Sequence, residues 1–173
     1  KKLHARSNVS VFSCDLSDRK TIERCVKDIR KRHKTLAGII HVAGYARPGY
    51  FGELPPEEFE KAVRTDYLGA VFLTHGLHDL VESGGLISFT SSVVGYMGVF
   101  GYTSYAGPKF ALIGFAESLR QEMISRKIQI SVLCPPDTET PGYAEENKTK
   151  PYETQALSES AKLMTADAVA EKF

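Results

Sequence analysis

Four short apolar runs, separated by helical patterns, constrain this chain more than anything else in it. Residues 9–13 (VSVFS), 36–42 (LAGIIHV), 86–89 (LISF) and 128–133 (IQISVL) each have the length and composition of a strand. Between the first two, residues 19–32 place Ile22, Cys25, Val26 and Ile29 on one stripe, with Ser17 or Asp18 available as a cap. Strand, helix, strand in that order is a parallel crossover unit. LAGIIHV is nearly all apolar, which predicts a strand covered on both faces. A Pro-Pro-Glu-Glu start predicts one long helix over 55–83, its apolar face formed by Phe59, Val63, Tyr67, Ala70, Val71 and Leu77. A further helix over 105–123 packs through Ala106, Phe110, Ile113, Ala116 and Leu119. The class is α/β.

At 173 residues and 42% hydrophobic content the chain can bury a core, and 1–173 reads as one domain or most of one. The net charge of +1 is evenly mixed. Its one basic block, Arg30-Lys31-Arg32, falls at a helix end where cations suit the dipole, so no nucleic-acid partner is expected. No apolar run approaches the roughly 18–20 residues of a membrane span, and no secretory leader is read. Cys14, Cys25 and Cys134 are odd in number and far apart, which reads as buried thiols of a reducing compartment. His33, His41, His75 and His78 form no ligand pattern with Cys or acidic residues, so no metal is expected.

The chemistry concentrates in residues 86–110, LISFTSSVVGYMGVFGYTSYAGPKF. The strand ends in the hydroxyls of Thr90, Ser91 and Ser92, and a glycine-punctuated loop leads to Tyr105 with Lys109 four positions on. In a helix starting near Thr103, that spacing puts phenol and ammonium on one face. The ammonium is expected to draw the phenol pKa down from about 10, as a general acid requires. With Ser92 donating to the same oxygen, the set suits ketone reduction by hydride from a nicotinamide. By themselves, a Tyr and a Lys one turn apart are far more often two ordinary residues of a solvated helix.

A strand ending in Ser-Ser, a Gly-rich loop and Tyr-x-x-x-Lys opening a helix together resemble the active-site segment of the short-chain dehydrogenase/reductase family. The resemblance implies a Rossmann-like, doubly wound parallel sheet with helices on both faces. It makes Ser92 the catalytic serine and leaves Ser91 structural. Tyr105 becomes the acid, and Lys109 the cation that tunes it and holds the cofactor ribose.

Residues 41–44, His-Val-Ala-Gly, lie at a strand end where open α/β sheets hold ligands, and they are similar to the family's Asn-Asn-Ala-Gly. Ala43 and Gly44 would then line the cofactor, the plain alternative being a small-residue turn. Asp15 would reach the adenine with Leu16 alongside, or only cap a helix. Asp66 stands where the family has an asparagine that holds a water on the proton path to the lysine. It keeps the backbone carbonyl but loses the amide donors, and a surface acid is the other reading. Pro135, Thr138 and Thr140 match the Pro-Gly-x-x-x-Thr loop over the nicotinamide, Pro136 stiffening it in place of glycine. Turn chemistry would account for the threonines as well.

The run PPDTETPGYAEENKTKPYET, with GVFGYTSYAGPKFAL and DYLGAVFLT, is similar to a narrower group, the 3-ketodihydrosphingosine reductases. That likeness implies NADPH (NADP) as cofactor and a long-chain keto sphingoid base as substrate. It also implies a catalytic domain on the cytosolic face of the endoplasmic reticulum membrane, anchored by segments outside these residues. A steroid or 3-ketoacyl thioester substrate is the alternative within the chemistry, and a catalytically decayed nucleotide-binding scaffold is the alternative outside it. Tyr96, Met97, Val99 and Phe100 suit a lipid, or core, or a partner surface. The long helices near Pro55 and Tyr105 are faces that relatives use to pair, so a homo-oligomer is possible. Residues 143–160 are polar with little core and read as a mobile lid, and a helical pattern resumes over 164–173. No Gly-rich phosphate turn precedes Asp15, and two strands before Val9 and one after Phe173 are absent. The chain therefore reads as the middle and catalytic portion of a longer protein, one that would bind NADPH poorly in isolation.

Overall fold

The computed structural model describes residues 9–172; the uncapped opening read at 1–8, and Phe173, lie outside it. Helix α1 (Arg19–Arg32) follows the prediction, capped by Asp18, which accepts from the Lys20 amide. Its basic last turn makes a tertiary contact. Arg30 bonds both carboxylate oxygens of Asp79 at 2.7 Å and the Gly76 carbonyl at 2.9 Å.

Strands β1 (Leu36–His41), β2 (Val81–Thr90) and β3 (Gln129–Leu133) form a parallel sheet in that order. The register runs Ile39↔Ile87 and His41↔Phe89 on one side of β2, and Ile87↔Ile130 and Thr90↔Leu133 on the other. The sheet is the parallel α/β arrangement the sequence predicts. Residues 9–13 are a correction: they join no sheet among the described residues, because a strand needs a neighbour for its ladder and none lies beside them. β1 departs too, since Ile40 and Val42 are 58% and 70% exposed and one face is open.

The long helix expected over 55–83 is three pieces. Helix α2 (Pro56–Ala62) widens into a π turn (Val63–Leu68), where the Gly69 amide reaches back to the Arg64 carbonyl, and continues as α3 (Gly69–Leu77). The extra residue rotates the face, so Asp66 turns inward while Val63 lies 38% exposed. After a single 3₁₀ turn (His78–Leu80), β2 begins at Val81, five residues before the expected Leu86. Arg126 explains the stop, since it donates to the carbonyls of His78, Asp79 and Val81 at 2.8–3.2 Å and satisfies groups a helix end leaves open.

Helix α4 (Thr103–Met123) buries Pro108, Lys109, Leu112, Ala116 and Met123, and Phe110 faces out instead. Drawing Lys109 inward sets that rotation. Pro108 falls in the second turn, where it denies the Ser104 carbonyl its amide partner. The core joins Ile39, Ile87, Phe89, Ile130, Ala70, Leu77, Leu112 and Ala116, with Phe115 packed edge-on against Phe89.

The segment expected as a mobile lid is instead folded and docked. A short parallel pair, β4 (Thr138–Glu139) with β5 (Met164–Thr165), brackets α5 (Pro141–Glu146) and α6 (Tyr152–Ser160), and α7 (Ala166–Ala170) follows. Thr154 donates to the Phe100 carbonyl at 2.9 Å, and Tyr50 to Glu153 at 3.0 Å. The Thr154 contact depends on Gly101, at φ +80°, where a Cβ would lie 2.5 Å from the threonine hydroxyl.

Of the cysteines, Cys25 is buried and the other two are half-buried; burial first, then the nearby Cys14, pushes the Cys25 thiol up to about 11. His41 at the end of β1 stacks on Phe89 at 5.0 Å and shares a 2.8 Å hydrogen bond with Thr74. Burial lowers its pKa from 6.5 to about 4. The unfolded chain therefore takes up a proton in a range where the folded protein does not. This stabilisation is full above pH 6.5 and is lost as the pH falls toward 4, about 3 kcal/mol in all. Urea unfolding of wild type and His41→Gln across that range should show the wild type losing stability more steeply; parallel curves would refute the assignment.

Candidate active site

Three elements deliver the central residues. β2 ends at Thr90, so Ser91 and Ser92 stand at the C-terminal edge of the sheet. Ser91 is buried and donates to the Lys109 carbonyl at 3.0 Å, a structural bond between strand and helix. Ser92 caps the next 3₁₀ turn (Val93–Gly95), its oxygen accepting from the Val94 amide at 3.2 Å, and its hydroxyl is near enough to Tyr105 to lower the phenol pKa. Helix α4 carries Tyr105 and Lys109, the ammonium 5.2 Å from the centre of the tyrosine ring. Ser92, Tyr105 and Lys109 thus converge on one place.

Lys109 is 3% exposed, donating to the Thr90 carbonyl at 3.0 Å and lying 3.2 Å from Asp66 Oδ1. Asp66 is 2% exposed, so the surface-acid reading fails; the π turn has put the carboxylate under the lysine. Asp66 Oδ1 also accepts from the Tyr45 amide at 3.0 Å, while its buried Oδ2 has no partner among the described residues. Burial raises the Asp66 pKa against the opposing pull of Lys109 and the Tyr45 amide. Gly44 gives this pair its room, since a Cβ there would lie 2.8 Å from Asp66 Oδ1 and 3.4 Å from Lys109 Nζ.

The expected effect of Lys109 on the phenol is corrected. Burial first, then the negative charges of Asp66 and Glu146, push the Tyr105 pKa well above its ordinary value; the Ser92 bond opposes them and Asp137 adds to them. The lysine charge is spent on Asp66, a partner that spacing along one helix could not reveal. The phenol is therefore held protonated, ready to donate.

The other predicted residues have local roles in this structure. Asp15 Oδ1 accepts from the Ser17 amide and hydroxyl at 2.9 and 2.7 Å, bonds that lower its pKa. Leu16 packs against Gly69 and lines a cavity of about 600 Å³ with Phe59, Val63 and Phe72. Ala43 and Gly44 are exposed just beyond β1. Pro135 is half-buried after β3, Thr138 donates to the Pro136 carbonyl at 2.8 Å, and Thr140 caps α5 by accepting from Tyr143 at 3.0 Å. No direct bond joins these residues to Tyr105 or Lys109 among those described. Tyr45 and the Thr90 carbonyl, which hold Asp66 and Lys109, escaped the sequence reading because backbone groups leave no signature.

The family model for short chain dehydrogenases matches residues 1–151, and the chain belongs to that family. Among individual relatives, it is 41% identical over 174 residues to the 3-ketodihydrosphingosine reductase of Dictyostelium discoideum, covering 97% of this chain and 52% of that protein. It is 38% identical over 177 residues to the 3-dehydrosphinganine reductase of Danio rerio, covering 95% and 53%. The chain spans about half the length of the curated relatives it matches. The fold is similar to that of a short chain dehydrogenase family protein from Francisella tularensis subsp. tularensis SCHU S4, with a TM-score of 0.84, 19% identity, and 97% and 73% of the two chains covered. It is also similar to the angucycline C-6 ketoreductase LanV with bound NADP, at a TM-score of 0.78, 18% identity, and 92% and 64% coverage.

Proposed function

We propose that this chain carries the proton-donating half of an NADPH-dependent reductase that converts 3-ketodihydrosphingosine to dihydrosphingosine. The observation that carries the reading is the convergence of Ser92, Tyr105 and the buried Lys109–Asp66 pair at the C-terminal edge of a parallel sheet. Relatives bearing that reductase name match 95% or more of the chain.

The residues fit one part of the cofactor. Lys109 has three N–H donors and uses two on Asp66 and Thr90, leaving one for a ribose hydroxyl. Ala43 and side-chain-free Gly44 offer an open strand end, and Asp15 keeps its second carboxylate oxygen for the adenine edge beside Leu16. Pro135, Thr138 and Thr140 would face the nicotinamide. Residues 1–14 contain no glycine, so these residues themselves supply no pyrophosphate turn. Bound NADPH supplies the hydride that reduces the carbonyl carbon.

Everything else falls to the chain. Ser92 donates a hydrogen bond to the carbonyl oxygen as negative charge grows there, and Tyr105 gives it the proton. The phenolate would regain its proton from the Lys109 ammonium, which would in turn be reprotonated by a water that the unpartnered Asp66 Oδ2 can hold. Phe51, Tyr96, Met97 and Phe100 are exposed apolar surface, which suits a long alkyl tail. No helix among the described residues is long and apolar enough to cross a membrane. Attachment to the endoplasmic reticulum membrane with the site facing the cytosol would rest on other segments, and pairing with a second copy on the α2–α3 and α4 faces.

A substrate panel tests the reading. With NADPH, kcat/KM for 3-ketodihydrosphingosine should exceed that for a steroid ketone and a 3-ketoacyl thioester by about tenfold or more. Equal or inverted preference would reassign the substrate, and cofactor binding without turnover of any ketone would leave only a scaffold.

A further inference from the structure

A second group of charges, outside the Ser92–Tyr105–Lys109 set, stands against the same phenol. Tyr102, one turn before Tyr105, has its ring centre 5.9 Å from that of Tyr105 and donates its hydroxyl to Glu146 Oε1. Glu146 ends α5, and the Lys150 ammonium lies 3.7 Å from it. Lys150 is among the most enclosed cations of the described residues, its side chain 1% exposed although it sits between two surface helices. Its amine also lies 3.8 Å from Asp137, donates to Ser158 at 3.1 Å and stands 4.2 Å from the centre of the Tyr143 ring. Tyr143 in turn donates to Asp137 at 3.2 Å. Burying an ammonium this deeply is costly unless its partners are fixed, so the group is a rigid feature of the wall rather than a solvated ion pair.

Two carboxylates face one ammonium in this group, leaving a surplus negative charge beside the proton donor. The other charged groups around Tyr105 are Asp66 from the π turn, whose charge raises the phenol pKa ahead of Glu146, and Lys109 from its own helix, 3.2 Å from Asp66. The surplus on α5 and the loop after β3 adds to the field of Asp66 at the phenol, from a separate element. We propose that Glu146 and Lys150, linked to the proton donor through the Tyr102 phenol, are positioning residues for Tyr105. The inference rests on the reading of Tyr105 as the acid and adds to it a pair of opposed controls. Glu146 holds the proton on, and Lys150 limits that hold.

The test reads the Tyr105 phenol in two ways, in Glu146→Gln, Lys150→Met and the double variant. One is the alkaline limb of the pH–kcat profile. The other is an ultraviolet difference titration against a Tyr105→Phe blank, which needs no turnover. Removing the Glu146 charge lets phenolate form sooner, so limb and titration should both move down by about one pH unit. Removing the Lys150 charge leaves two carboxylates uncompensated, and both should move up by a similar amount. The double variant, neutral at both positions, should lie between them, and it also serves if Lys150→Met alone fails to fold. Limbs and titrations that stay fixed while turnover falls equally at every pH would overturn the proposal, as would shifts of the same sign. A phenol titration that moves as expected in a protein inactive toward every ketone would fault the reductase reading instead.

Discussion

Replacing Tyr105 by phenylalanine should lower kcat for ketone reduction by about 10²–10⁴-fold, the range a positioned general acid contributes. The substitution removes one oxygen and keeps the ring, so the contacts with Tyr102 at 5.9 Å and Lys109 at 5.2 Å can persist. Substrate binding should change little, because the lost interaction matters most when charge has built on the carbonyl oxygen. The phenol is protonated through the neutral range, held so by burial and by Asp66 and Glu146, so the wild type should not lose its acid until well into alkaline pH. Steady-state kinetics of the two proteins, with circular dichroism as the folding control, check this. Turnover within a few fold of wild type would remove Tyr105 from the acid role.

Replacing Lys109 by methionine should destabilise the fold by about 3–5 kcal/mol, the cost of leaving one member of a buried ion pair alone. Asp66, 2% exposed and already short of a partner at Oδ2, would keep only the Tyr45 amide. The Thr90 carbonyl would lose its donor in the same step. Adding Asp66→Asn to Lys109→Met should recover much of the loss, since an amide accepts from Tyr45 without carrying charge. Urea denaturation of the two single variants and the double variant measures all three terms. A single-variant cost below about 1 kcal/mol, typical of an exposed pair, would mean that Lys109 and Asp66 are not paired in the interior.

The legible parts of the site were those written along one element. Spacing put Tyr105 and Lys109 on one helix face, and the family resemblance, not spacing, singled out Ser92 just beyond the strand end at Thr90. Helix α1 was legible for the same reason: its stripe, its Asp18 cap and its basic last turn are all local. What escaped depends on contacts between elements. The π turn at Val63–Leu68 has no residue signature, yet it decides that Asp66 points inward. The end of the helix before β2 is set by Arg126, some fifty positions on, through bonds to backbone carbonyls. Residues 143–160 looked unstructured because their composition is polar, and the Lys150 cluster and the Thr154 bond that fix them are tertiary. The direction of the Tyr105 shift failed on the same ground. The helical neighbour was visible in the sequence, while the two carboxylates that push the phenol the other way, Asp66 and Glu146, come from other elements.

The most direct measurement follows an isotope. Protein containing this chain should be given 3-ketodihydrosphingosine and NADPH carrying deuterium at the transferable position of its nicotinamide, and the product examined by mass spectrometry. The account predicts dihydrosphingosine heavier by a single deuterium, with the label on the carbinol carbon, from wild type, and almost none from Tyr105→Phe. Unlabelled product, or equal labelled product from both proteins, would contradict it.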